Sequence, residues 1–367
     1  MRKRLGSISQ ADFDRFLAFA DSHPTVVQPE HMLQKLTIFN FVASLITRYR
    51  PAEILEIGCG LGFHSALLTN YGQVSATELQ VPGSFIAADA DIARDRDLVF
   101  QELAKGRVQF QYNNGRTFPF PDESFDLIFH NSVIEHVPDA AGFNRETSRM
   151  LRPNGTVICI TGTPALCWFR LIRDYFLRLP ITMAASVVKE LGVTRRLKIS
   201  DQLKALIPAG ASEQAGTLSV SGWNARLSHY VYSPVYNAVV LEELAKNAGV
   251  GNGAALVAAY QHFRKSLANR FRYYLTPRTH GQHYRDFRHE MTEWRLDRWR
   301  DTFEAAGFEV VEIIPYRFHH LLEASFSNRF NSALYHRAAP LIERFQRRIP
   351  ASMASEFVLV ARKRLGE

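Results

Sequence analysis

Cysteine is scarce in this chain, and so are long apolar runs. Among 367 residues there are 3 cysteines, Cys59, Cys159 and Cys167, too few for a disulfide framework and without the C-x-x-C spacing of a thiolate metal site. A reducing, cytoplasmic setting is expected. The most apolar stretches are residues 37–46, too short to span a bilayer, and 165–183, interrupted by Arg170, Arg173, Asp174 and Arg178; no transmembrane helix is expected from either. Met1-Arg2-Lys3-Arg4 has the charge of a signal-peptide start, but residues 6–15 are polar where an apolar region would have to follow, so no export signal is expected. Internal repeats are lacking too.

What is present is an ordinary globular composition, 46% hydrophobic and 22% charged, far from the corner in which disorder is found. Residues 8–48 read as two helices, the second with Met32, Leu33, Leu36, Phe39, Phe41, Val42, Leu45 and Ile46 spaced for a buried stripe. Pro51 stops that pattern. From Glu53 short apolar runs alternate with helical stretches, at residues 54–57, 74–76, 108–111, 125–129 and 157–161, and two more runs follow at 309–314 and 356–363. Such alternation predicts an α/β fold with a doubly wound, mostly parallel, seven-stranded sheet covered on both faces. Between Thr163 and the returning strands the strand signals stop, which predicts a large, mainly helical insertion. The expected organisation is N-terminal helices at 1–50, an α/β core at 51–163, the insertion at 164–290 and a return to the sheet at 291–367.

The formal charge of +8 has an address. Residues 160–300 hold 20 Lys plus Arg against 10 Asp plus Glu, whereas the rest of the chain holds 24 against 26. The basic surplus therefore belongs to the insertion and its flanks.

The most specific segment is Ile54-Leu55-Glu56-Ile57-Gly58-Cys59-Gly60-Leu61-Gly62-Phe63. A strand ending in a carboxylate turns through alternating glycines, whose missing Cβ atoms permit a tight turn and close approach of a ligand. The nicotinamide fingerprint would need glycine at 63, where Phe63 stands. A carboxylate just before the first glycine suits a cationic ligand group and repels a pyrophosphate. Downstream, Val74-Ser75-Ala76-Thr77 ends at Glu78, and a carboxylate at that strand end can accept hydrogen bonds from both hydroxyls of a ribose. Then come Tyr112-Asn113-Asn114-Gly115, the run from Pro119 to Phe129, Ile134-Glu135-His136-Val137-Pro138-Asp139, and Leu151-Arg152-Pro153-Asn154-Gly155.

In this order the segments resemble the class I S-adenosylmethionine-dependent methyltransferases, of the methyltransferase-11 type. The resemblance covers residues 51–163 well and 290–363 loosely, and implies a Rossmann-like methyltransferase fold with S-adenosyl-L-methionine as cofactor and S-adenosyl-L-homocysteine as product. It implies a cofactor site of Glu56, Gly58, Cys59, Gly60, Gly62, Glu78, Asn113, Asn114 and His130. Glu56 would hold the ammonium, and Asn114 stands where the family has an Asp that accepts from the adenine amino group. Asp126 is expected to order the strand end.

Methyl transfer from a sulfonium needs alignment of donor and acceptor, and often removal of an acceptor proton. His136, beside Glu135, and His280 and His283, in the stretch before the Trp299–Phe308 helix, are the candidates for that proton; their spacing marks no metal site. The acceptor is expected to be a small, sugar or lipid-linked molecule, O-methylated. Residues 166–179 place aromatic residues on one helical face and arginines on the other, as peripheral helices at an inner membrane surface do, and basic and aromatic residues interleave over 263–272, which can read phosphate. An inactive, cofactor-sensing scaffold is the alternative. A nucleic-acid methyltransferase is third, since neither an N-P-P-Y-like nor a Pro-Cys motif is present.

Overall fold

The computed structural model describes residues 8–79, 90–172, 196–197, 220–221, 279–280, 283–316, 344, 348 and 350–364. Helix α1 (Gln10–Ser22) begins where the Ser9 side chain accepts a hydrogen bond from the Asp12 N–H, which satisfies a donor that the helix itself cannot. Helix α2 (Pro29–Tyr49) opens on proline, whose missing N–H is harmless at the first helical position, and ends at Arg50 in the left-handed region. The apolar stripes of both helices, Phe16, Phe19, Met32, Leu36, Phe39, Val42 and Ile46 among them, are buried in one cluster with Ile54, Val74, Leu127, Phe129 and Ile158 of the sheet.

Strands and helices then alternate: β1 (Glu53–Ile57), α3 (Phe63–Leu68), β2 (Gln73–Leu79), α4 (Ala90–Glu102), β3 (Val108–Asn113), β4 (Phe125–Asn131), α5 (Ala140–Met150) and β5 (Leu151–Gly162). After α6 (Pro164–Ile172) and the two-residue strands β6 (Arg196–Leu197) and β7 (Val220–Ser221) come α7 (Phe287–Glu293), α8 (Leu296–Glu304), β8 (Phe308–Tyr316) and β9 (Glu356–Lys363). The main sheet has the order β3-β2-β1-β4-β5-β9-β8. Neighbours from β3 to β5 run parallel, and β9 is antiparallel to both β5 and β8. The chain leaves β1 toward β2 on one side and returns to β4 on the other, so the crevice at the carboxyl ends of β1 and β4 is the place where such sheets bind ligands.

All seven apolar runs expected to be strands are strands of this sheet. Two readings are corrected. Strand β5 starts earlier than expected, at Leu151, because the turn Pro153-Asn154-Gly155, with Asn154 left-handed, is accommodated as a register shift opposite Phe125 and Leu127. The insertion is also not free of strands, since β6 and β7 pair antiparallel within it.

The chain divides into two compact units, residues 1–169 with 279–367, and residues 170–278. Residues 279–290, expected to close the insertion, thus belong to the sheet unit, where Tyr284 and Trp294 join its second core cluster with Leu55, Ile57, Ile128, Phe143, Val157 and Leu359. The basic stretch at 263–272 lies outside the described residues, and so does the amphipathic stretch beyond Ile172. Within α6, Leu166 and Cys167 are buried and Trp168 is exposed. No described helix is long and apolar enough to cross a membrane.

Candidate functional site

The turn after β1 is built from the backbone of β2. The N–H groups of Gly58 and Cys59 both donate to the Thr77 carbonyl, at 2.9 and 3.2 Å, and Gly62 N–H closes the loop on the Cys59 carbonyl at 2.8 Å. Gly58, Gly60 and Gly62 all have positive φ, but their surroundings differ. A Cβ on Gly58 would lie 2.4 Å from a methyl group of Val133, one on Gly62 would lie 2.2 Å from the Phe100 ring, and one on Gly60 would meet nothing within 4 Å. Gly60 alone therefore faces open space. Gly62 makes room for Phe100, and Cys59 turns its thiol into the small cluster of Ala76 and Phe100. Burial, with Glu56 and Glu78 close by, pushes that thiol well above its ordinary range, so it is not a nucleophile.

Two carboxylates flank the turn. Glu56 is 2% exposed, accepts the Ser65 hydroxyl and has the Nδ1 of His64 at 3.6 Å; His64 is itself held between the Phe39 and Phe129 rings. Glu78 is half-buried and accepts from Gly60 N–H at 2.7 Å and from its own neighbour Leu79 N–H at 2.8 Å, one bond to each oxygen. A carboxylate has about four lone-pair positions, so Glu78 retains acceptor capacity for a further ligand. Asn113 is buried and ties strand ends together, donating to Thr77 Oγ1 at 3.0 Å and accepting from Gly115 N–H at 2.8 Å. The exposed Asn114 accepts from the N–H groups of Arg116 and Thr117 at 2.9 and 2.8 Å. Its side-chain oxygen is thereby committed to a local turn rather than to an adenine. Arg96 of α4, which sequence reading missed, donates to Tyr112 Oη at 2.5 Å and to the Gly60 carbonyl at 3.5 Å, with its guanidinium 4.0 Å from the centre of Phe110.

His130 stands elsewhere. Residues alternate across a strand, and its register partner Ile57, not Glu56, shares its side of the sheet. The ring is fully buried, edge-on to Phe143 at 5.3 Å, with neither nitrogen hydrogen-bonded. Burial lowers its pKa from 6.5 to about 3, so it is neutral and its side chain does not line the turn.

On the other side of Val133, a short 3-10 turn, Ile134–His136, presents Glu135 and His136. Asp139, the last letter of that sequence segment, caps α5 by accepting from Gly142 N–H at 2.8 Å. Glu135 is buried and accepts the Thr161 hydroxyl at 2.9 Å. Burial, with Glu356 and Glu290 nearby, pushes its pKa up to about 8, against the opposing hydrogen bonds from its backbone and Thr161. His280 arrives from the far side of the insertion. Its backbone N–H donates to the Glu290 carboxylate, and its ring lies 4.8 Å from that of His136 and 5.6 Å from that of Trp294. His283 is apart from this group, its ring 4.0 Å from that of Tyr284 and tilted to it by 41°, with its pKa lowered by burial and by His289. The structure thus brings together Glu135, His136 and His280, and not His283. No local spacing could show that convergence, because His280 is separated from the other two by the whole insertion.

Residues 55–159 match the family model described as "Methyltransferase domain". This segment is a class I methyltransferase domain. S-adenosylmethionine is its cofactor. The chain is 28% identical over 103 residues to the 27-O-demethylrifamycin SV methyltransferase of Amycolatopsis mediterranei, covering 28% of this chain and 36% of that protein. Against the chloroplastic tocopherol O-methyltransferase of Arabidopsis thaliana it is 29% identical over 109 residues, 30% of each chain. A solved S-adenosylmethionine-dependent methyltransferase from Mesorhizobium loti aligns over 90% of this chain and 100% of its own at 11% identity, with a TM-score of 0.42. The alignments to the curated relatives span about a third of those proteins' length.

The donor set of the methyltransferase domain suits this cofactor. A buried carboxylate beside the turn favours a cationic ammonium over an anion, Gly60 leaves open space at the turn, and Glu78 has acceptor positions for a diol. The residues that sequence reading did not pick, His64, Ser65 and Arg96, carry the second layer: they orient Glu56 and hold the Gly60 carbonyl. Ser65 and His64 follow the glycine turn directly and were legible as first-turn helix residues, whereas nothing in the sequence marked Arg96.

Proposed function

We propose that the chain transfers the methyl group of S-adenosylmethionine to an oxygen of a small-molecule acceptor. When bound, the cofactor supplies a methyl group already activated by the sulfonium charge. In this reading Glu56 holds the ammonium, the backbone around Gly58 and Gly60 lies along the methionine portion, and Glu78 accepts from the ribose hydroxyls. Asn113 and Arg96 keep the turn in shape without touching the acceptor. The work left to the protein is alignment and management of the acceptor proton.

The observation that carries the reading is Val133. Its side chain covers the α-carbon of Gly58, and the next turn carries Glu135 and His136, with His280 against them. Titratable groups that can bind an acceptor oxygen and deal with its proton therefore follow, by two and three residues, the side chain that packs on the cofactor turn. The rifamycin and tocopherol O-methyltransferases support a small-molecule acceptor by their names. The basic surplus of residues 160–300 and the exposed Trp168 extend the reading to an acceptor met at an anionic membrane surface on the cytoplasmic side, a sugar or lipid-linked one included.

The test uses methyl-labelled cofactor and the full chain in a cleared extract, separated into small-molecule and lipid, protein, and nucleic-acid fractions. Label in the small-molecule or lipid fraction, lost with Glu78→Ala, is the expected result. Label only in nucleic acid or protein, or no transfer by a chain that binds cofactor, overturns the proposal in favour of a macromolecular substrate or a sensing scaffold.

A further inference from the structure

We propose that Glu135, His136 and His280 form a site for a divalent transition-metal cation on which the acceptor oxygen is held. The inference deepens the methyl-transfer reading and rests on it for its purpose, though not for its geometry.

Three observations converge on it. First, each residue offers one ligand atom, and these atoms lie within 4.8 Å of one another. Around a tetrahedral ion with bonds of about 2.1 Å the ligand atoms are about 3.4 Å apart, so modest side-chain rotations close the site. His136 and His280 are both exposed and can make them. Their backbones are fixed: His136 N–H donates to the Val133 carbonyl at 2.9 Å, and His280 N–H is held by Glu290.

Second, one side of the site is walled by buried carboxyl groups. Glu135, Glu290 and Glu356 are at 2%, 0% and 8% exposure, and Glu290 also accepts the His280 backbone N–H, so the wall that carries Glu135 positions His280 as well.

Third, the ligand types and their supports are those of a reactive metal rather than a structural one. Two imidazoles and one carboxylate suit zinc, manganese, iron or cobalt, and three protein ligands around a tetrahedral ion leave one position open for an exogenous oxygen. Thr161 donates to one oxygen of Glu135 at 2.9 Å, the kind of outer support that orients a ligand. A hydroxyl bound to such a cation is a stronger acid than a free one and gives its proton to solvent water. The acceptor class that follows is a molecule presenting a hydroxyl oxygen to the open position.

The test titrates cobalt(II) into the metal-stripped full chain and follows visible absorbance, with S-adenosylhomocysteine calorimetry on the same preparations. Saturation at one equivalent with micromolar or tighter affinity is expected. His280→Ala, in an exposed position, and the isosteric Glu135→Gln should each weaken cobalt binding at least about 10-fold while S-adenosylhomocysteine affinity stays within about 2-fold, which also reports intact folding. No saturable binding at one equivalent, or equal affinity in both variants and the parent, overturns the site. Cobalt binding without S-adenosylhomocysteine binding leaves the metal site standing and removes the methyl-transfer reading instead.

Discussion

Each glycine of the turn after β1 answers a different neighbour. Gly58 yields to Val133, Gly62 to Phe100, and Gly60 to open space, so substitutions at the three positions should fail for different reasons. The same residue-by-residue view separates His130 from the site. It stands at the end of β4, beside the crevice, yet strand alternation turns its ring into the core beside Phe143. A buried neutral imidazole has a pH signature. Its folded pKa of about 3 lies below the ordinary 6.5, so between these values the unfolded chain binds a proton that the folded chain refuses. The contribution is complete above about pH 6.5 and is lost as pH falls toward 3, at about 1.4 kcal/mol per pH unit. Urea unfolding at pH 7.5 and pH 5 should show the parent losing about 2 kcal/mol more than His130→Leu. Equal losses would mean that His130 is not buried as described.

At the scale of elements, the packing of α7 and α8 on the sheet turns on the close approach of Trp294 to the end of β5. A Cβ on Gly162 would fall 2.4 Å from the Trp294 ring, which is fully buried and donates to Tyr284 Oη at 2.8 Å. Gly162→Ala should therefore cost about 1–3 kcal/mol, as overpacked cores do, with a change in tryptophan emission; unchanged stability and emission would show that the helices yield freely. Asp126, expected to order a strand end, does so through the N–H groups of Ala52 and Glu53, at 2.9 and 2.8 Å, and through Arg152. Elements of this kind were legible because the central strands of a covered parallel sheet, here β1, β4 and β5, carry continuous apolar runs. The boundary of β5 was not, since a Pro-Asn-Gly turn reads as the end of an element even where the strand resumes its pairing beyond a shift in register.

For the molecule as a whole, five of the seven strands of the main sheet and the cofactor turn could be read from one contiguous third of the sequence, whereas the acceptor side could not. His280 meets Glu135 and His136 only because the chain returns to the sheet unit at Thr279, after the unit formed by residues 170–278. Charge divides the same way, with a near-neutral remainder and a basic stretch over residues 160–300. If that surplus meets an anionic membrane, the full chain should sediment with phosphatidylserine vesicles at low salt and be released near 0.5 M salt, where the screening length is about 4 Å; recovery wholly in the supernatant at low salt would contradict the contact. Cofactor binding stands apart from the acceptor and from any membrane, and calorimetry of S-adenosylhomocysteine with the parent and with Gly58→Arg isolates it. The parent should bind with micromolar affinity, and the variant, whose new side chain must displace Val133 from the turn, should give no heat of binding while keeping the parent's circular dichroism. A parent chain that gives no heat, or a variant that binds as tightly, would contradict the assignment of the turn between Glu56 and Glu78 as the cofactor site.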